Sequence, residues 1–268
     1  MKKVQIFQID AFADTVFRGN PAAVCPLESW LDDSVLQAIA AENNLSETAF
    51  FVGRDGRYQL RWFTPRCEVD LCGHATLASA FVLFNELGLT GERVQFDTVS
   101  GPLWVVRDGR YLTMDFPSLP LLPCSNPPAA LVEGLGAEPA EVFSVETDKN
   151  YYAVLENEAA VRSIRPDLAM VESLHPYGVA VTAAGKDVDC VSRYFAPGYG
   201  IAEDPVTGSI HCALAPYWGA RLNKTRIVAR QLSERGGELI CENRGGRVHL
   251  SGRAVKYLEG AIFIQERH

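Results

Sequence analysis

The sequence predicts an α+β protein built from two related halves. Three observations point there. Strand-like stretches rich in aromatics and threonine alternate with helical stretches along the whole chain. A proline-rich segment, "PSLPLLPCSNPPA" (117–129), divides it near the middle. Short strings of one half also recur, in order, in the other.

The N-terminal "KKVQIFQIDAF" alternates apolar Val4, Ile6 and Ile9 with polar residues and reads as a strand. A polar loop leads to Gly19, Asn20 and Pro21. Trp30, Leu31, Val35, Leu36, Ile39 and Ala40 then recur at helical spacing, with Asn43 and Asn44 as the stop. "SETAFFV" and "YQLRWFTP" read as strands joined by a turn over Gly53 to Gly56. Ala75 to Leu87 patterns as a helix closed by Gly88. "VQFDTVSGPLWVV" and "YLTMDFP" complete a first half, residues 1–117. With residues 118–129 as linker, 130–268 form the second half, where strands and helices alternate again.

The recurring strings are specific. "RWFTP" (61–65) has its counterpart in "RYFAP" (193–197). Each is followed by a short polar insert and a glycine that opens a helix, Gly73 in "CGHATLA" and Gly208 in "TGSIHCA". A serine and a glycine turn then precede a strand, "VSGPLWVV" against "LSERGGELIC". Three matches in one order imply related α+β halves, each with a helix backed by strands.

Composition narrows the function. The 268 residues are 47% hydrophobic, enough for packed cores, and the formal net charge is −8 with no block of lysine or arginine. Nucleic acid and anionic membranes are therefore not expected partners. No stretch approaches the roughly 20 apolar residues of a membrane span. The N-terminus lacks the apolar run of a secretion signal, and seven irregularly spaced cysteines do not form a disulfide framework. A cytoplasmic protein is expected.

The repeated glycines suggest chemistry. Helix starts carry unsatisfied N–H groups and partial positive charge, and glycine lets a ligand approach the backbone. Were the halves to face each other, the two starts would receive one substrate carboxylate, with Ser209 adding a hydroxyl. Each motif alone also reads as an ordinary helix start with Ser209 capping; the repetition favours a shared site.

Proton transfer further requires a base. Glu47, His74, Glu203, Asp204 and the thiols of Cys72 and Cys212 are the nearby candidates. Glu47 stands out because the apolar "AFFV" beside it favours desolvation. Cys72 and Cys212 fall at unlike positions relative to the two glycines, so a symmetric two-thiol racemase is not expected; both read as small buried residues. A zinc site from Cys72, His74, His211 and Cys212 lacks the usual spacing, and no nucleotide-binding motif is present.

Several stretches together resemble the phenazine biosynthesis-like (PhzF) family: "QIDAFADTVFRGNPAAV", "ENNLSETAFFV", "RWFTPRCEVDLCGHATLASA", "VSGPLWV", "YFAPGYGIAEDPVTGSIHCAL" and "VHLSGRAVKYLEG". The resemblance implies a diaminopimelate-epimerase-like fold of two similar domains, each a sheet curled around a central helix, with the active site between them. It implies a homodimer and an isomerase that uses no metal or organic cofactor. It further implies proton movement on a small carboxylate such as trans-2,3-dihydro-3-hydroxyanthranilate. The catalytic glutamate of the family maps to Glu47, its histidine to His74 and its aspartate to Asp204. Gly73, Gly208 and Ser209 map to the substrate-binding positions, and Asn20 joins them as a candidate. Two alternatives stand beside this: an epimerase or racemase pairing Cys72 with a second base, and a binding protein that has lost turnover.

Overall fold

The computed structural model describes residues 1–265. The chain runs β1 (Lys2–Ala11), β2 (Asn20–Leu27), α1 (Asp33–Asn43), β3 (Glu47–Arg54), β4 (Arg57–Phe63), β5 (Glu68–Val69), α2 (Gly73–Phe81), β6 (Arg93–Thr98), β7 (Gly101–Asp108) and β8 (Tyr111–Pro117). It continues through β9 (Leu122–Pro123), α3 (Ala129–Leu135), β10 (Glu141–Val145), β11 (Asn150–Val154), α4 (Glu158–Ser163), α5 (Leu168–Glu172), β12 (Gly178–Ala184) and β13 (Cys190–Phe195). It ends with α6 (Gly208–Leu222), β14 (Arg226–Gln231), β15 (Gly237–Asn243), β16 (Arg247–Gly252) and β17 (Ala254–Ile264). No helix among the described residues is long and apolar enough to cross a membrane.

These elements form two units, Met1–Asp115 with the segment from Ser251 onward, and Phe116–Leu250. The division expected from sequence, with 130–268 as one half, is therefore corrected at its far end. β17 runs antiparallel along β1, Lys2 opposite Ile264, and so completes the first unit. Such a pairing between chain ends leaves no local trace in composition. Nor is 118–129 a free linker, since Leu122 and Pro123 pair with Ser144 and Phe143 of β10.

In the first unit the strands neighbour one another in the order β17, β1, β2, β3, β4, β6, β7, β8. The pairs β2–β3 and β4–β6 are parallel, and the others are antiparallel. A parallel pair needs a crossover, and α1 and α2 supply the two. α1 packs Leu36, Ile39 and Ala40 against Cys25, Phe50 and Phe63. α2 is buried on every side, including polar His74, Thr76 and Ser79. A helix buried all round is a central one, and the sheet curls about it. Its small residues permit the close approach, while Thr76 and Ser79 return their hydroxyls to the Cys72 and Ala75 carbonyls at 2.6 and 2.7 Å.

Two local expectations shift. The helix foreseen through Leu87 leaves α geometry after Phe81 and continues as a wider π turn over Val82–Glu86. The β3–β4 turn is tighter than foreseen: Arg54 still pairs with Arg57, and only Asp55 and Gly56, both at positive φ, turn the chain.

The second unit repeats the scheme. β10–β11 is antiparallel, β11–β12 parallel, β12–β13 antiparallel, β13–β14 parallel and β14–β15 antiparallel. α4 and α5 occupy the place of α1, and α6 that of α2. "RWFTP" closes β4 as "RYFAP" closes β13, so the strings matched in sequence lie at equivalent points of the topology. Leu131, Leu155, Val161, Val171, Val179, Val181 and Phe195 build this unit's core. Trp218 of α6 is tied in by its Nε1–H, 2.9 Å from Thr182 Oγ1.

Candidate active site

In the first unit, the starts of β2, β3 and α2 bring Asn20, Glu47, Cys72 and His74 together, all of them buried. Parallel pairing sets Glu47 opposite Ala22, two residues beyond Asn20. Reaching that strand start requires the loop before it to bend back at Gly19. There φ is +69°, and a Cβ would lie 2.1 Å from the Ala11 carbonyl oxygen, so only glycine fits.

His74 lies at the centre of the group. Its Nε2 is 3.1 Å from Glu47 Oε2. Its Nδ1 is 3.2 Å from Asn20 Nδ2 and 3.5 Å from Cys72 Sγ. Burial, the largest single influence, works to lower the His74 pKa. Cys72 and Glu47 together outweigh it and hold the imidazole well above its ordinary value. Burial, then the charge of Glu47, pushes the Cys72 thiol up to about 11, so it is a neutral thiol near pH 7. The Asn20 amide suits either state of Nδ1, since one side donates and the other accepts.

Glu47, Cys72 and His74 present potential metal ligands within 4.8 Å of one another. The donor set does not read as a cage. The thiol faces Nδ1 and the carboxylate faces Nε2, so the two donors address different nitrogens of one ring. Carboxylate and imidazole instead make a pair between which a proton can be passed.

In the second unit, Asp204 is buried and its carboxylate accepts the Thr207 hydroxyl. Gln231 clamps the turn: its Nε2 donates to the Asp204 carbonyl at 2.7 Å and to Thr207 Oγ1 at 3.2 Å. Its Oε1 accepts the Thr207 N–H at 2.8 Å. α6 follows at Gly208. Ser209 is exposed, and among the described residues its hydroxyl makes no hydrogen bond, so it does not cap the helix. Neither α2 nor α6 has a side-chain cap, which leaves the first-turn N–H groups of both for other acceptors. His211, the counterpart of Thr76, directs Nδ1 to the Thr207 carbonyl at 2.7 Å. Its Nε2 lies 3.4 Å from Ser192 Oγ. Burial pushes the Cys212 thiol up to about 12.

One sequence candidate is removed as a base. Glu203 is forked by Arg193, Nε to Oε1 at 2.7 Å and Nη2 to Oε2 at 2.9 Å. Arg61 forks Glu68 in the same manner at 2.7 Å twice. Each arginine also lies over the ring two residues on, Phe63 at 5.1 Å and Phe195 at 5.0 Å. The forks pin the inserts that lead to Gly73 and Gly208. Sequence reading missed this role, although the shared arginine of "RWFTP" and "RYFAP" was its signal; for Gln231 and Thr207 there was none.

The family described as phenazine biosynthesis-like protein (PhzC-PhzF) matches residues 9–260. An uncharacterized isomerase of Pseudomonas aeruginosa is 54% identical over 98% of this chain and 100% of its own length. The crystal structure of a PhzF-family phenazine biosynthesis protein from Enterococcus faecalis superposes with a TM-score of 0.94 at 45% identity. That match covers 98% of this chain and 100% of the other. A hydroxyproline epimerase from Agrobacterium vitis shares the fold, with a TM-score of 0.62 at 10% identity over 97% of this chain and 92% of its own.

Proposed function

The chain belongs to the phenazine biosynthesis-like (PhzC-PhzF) family and is an isomerase, and from that premise we propose that it moves a proton between carbons of a small carboxylate substrate. The observation that carries the reading is the buried contact of Glu47 Oε2 with His74 Nε2 at 3.1 Å. Glu47 removes a proton from an acidic C–H. The electron pair of that bond shifts into the adjoining unsaturated system, and a proton, exchangeable with solvent while it sits on Glu47, is returned at a second carbon. Substrate and product then have one composition, and no electron is gained or lost. His74 stays beside Glu47 as an imidazolium, so the pair passes from no net charge to one positive charge, which offsets the negative charge developing on the substrate. Asn20 and Gly73 bind and orient in the first unit, where the uncapped start of α2 is open to the carboxylate; Asp204, Gly208 and Ser209 offer the equivalent groups in the second unit.

The PhzF resemblance further supports a homodimer, and the free cysteines support a reducing, cytoplasmic setting. The alternative of Cys72 as a catalytic base is disfavoured by a thiol whose pKa burial raises to about 11.

Proton exchange in deuterated water tests the proposal, with NMR detection over a panel of small carboxylates that includes trans-2,3-dihydro-3-hydroxyanthranilate. Wild type should introduce deuterium at one carbon, and Glu47→Gln should slow this by about 10²-fold or more. Full exchange by Glu47→Gln would remove the mechanism. Loss on Cys72→Ser with Glu47→Gln active would hand the reaction to the thiol. Tight binding without exchange would leave a binding protein.

A further inference from the structure

A second concave site lies wholly within the first unit, away from the Glu47–His74 pair in its residues. It encloses about 220 Å³, with Arg107, Arg110 and Arg253 on its walls and Phe81 and Leu112 among its apolar residues. The charges there do not balance. Arg253 is paired with Asp14 at 2.8 Å. Arg107 donates to the Gly91 carbonyl at 2.9 Å and lies over the Phe84 ring at 4.7 Å, contacts that fix the guanidinium without neutralising it. Arg110, on the β7–β8 turn beside Gly109, has no ion-pair partner among the described residues. Arg107 has none either. Asp108, between the two in sequence, is directed by strand alternation to the face opposite Arg107.

The site thus carries about two uncompensated positive charges in a chain whose net charge is −8. Arg57, Arg61, Arg162, Arg193 and Arg221, by contrast, are matched by Asp97, Glu68, Glu158, Glu203 and Glu141. A concave surface lined by guanidinium groups concentrates anions, and arginine's planar fork fits two oxygens of one tetrahedral or planar oxyanion. The apolar residues beside it suit the hydrocarbon of an ester.

We propose that this pocket is a binding site for a compact dianion of the phosphate or phosphomonoester class, separate from the proton-transfer site. The volume accommodates a phosphoryl group with a small organic substituent. It does not require the substrate carboxylate assigned above, and it stands or falls independently of that assignment.

Isothermal titration of the full chain with inorganic phosphate and with phenyl phosphate, at fixed ionic strength against chloride, tests it. Wild type should bind phosphate at one site, and phenyl phosphate more tightly. Arg110→Gln, a change on an exposed turn that leaves folding intact, should weaken binding several-fold. Arg110→Glu should weaken it at least tenfold, with unchanged thermal unfolding in the absence of ligand. Phosphate binding no stronger than chloride, or equal binding by wild type and Arg110→Glu, would overturn the proposal. Binding lost instead on Glu47→Gln or Ser209→Ala would assign the anion to the other site and overturn it equally.

Discussion

Acidification should weaken the folded chain through one imidazole. His211 is fully enclosed at the start of α6. Desolvation lowers its pKa from 6.5 to about 4, against the opposing effect of its bond to the Thr207 carbonyl. Between these values the unfolded chain takes up a proton that the folded chain refuses. The stability linked to His211 is therefore complete above about pH 6.5 and is lost as the pH falls toward 4. The gap of about 2.5 units sets the limit at roughly 3 kcal/mol, and about 2 kcal/mol is gone by pH 5. Against a typical total of about 5–15 kcal/mol, that is readily measured. Urea unfolding at pH 7, 6 and 5, at fixed ionic strength, would compare wild type with His211→Gln. The glutamine amide can donate to Thr207 but does not titrate. The two proteins share every other ionisable group, so the difference between them should change by about 2 kcal/mol from pH 7 to 5. A difference that stayed constant would show that His211 is not held neutral, and the reasoning would fail.

The sign reverses at His74. Because its neighbours hold it above its ordinary value, NMR titration should find it protonated through neutral pH. Glu47→Gln should lower its midpoint, since one of the two neighbours that raise it is gone; an unmoved midpoint would contradict the pairing. Gly19→Ala should cost at least about 2 kcal/mol in urea unfolding, from strain at positive φ and collision with the Ala11 carbonyl. A cost under about 0.5 kcal/mol would mean the loop relaxes freely. The two arginine forks should respond unequally. Glu203→Gln strands the buried Arg193 and should cost about 2–3 kcal/mol. Glu68→Gln leaves the more exposed Arg61 with Asp33 and should cost under about 1 kcal/mol. Equal losses would refute the burial argument.

Much of the architecture was legible because it is written locally. The small residues after Gly73 and Gly208 announce central helices, and the duplicated strings lie at equivalent topological points. Glu47 and His74 were legible as site residues from their motifs. Their contact was not, because it arises where two strand starts and a helix start meet across 27 residues. Glu203 stood among the candidate bases for the same reason: its partner Arg193 lies ten residues earlier, on β13. Gln231 carries no motif at all. It acts on Asp204 and Thr207 only because β14 returns beside the turn that holds them. The π turn after Phe81 likewise has no counterpart in the apolar spacing, which runs on unbroken to Leu87.

The antiparallel contact of β1 with β17 sets an order of events during synthesis. Every strand of the second unit has been translated before Ala254 is added, whereas the first unit lacks the neighbour of β1 until residue 264. On a ribosome adding about 5–20 residues per second, and covering the newest stretch in its tunnel, the later unit can close while the earlier one still waits. Until then β1 presents an open backbone edge alongside Val4 and Phe7, both buried in the finished protein. The part of the molecule that carries Glu47 and His74 is thus the last to be sealed, and it is the nascent-chain stage most exposed to mispairing.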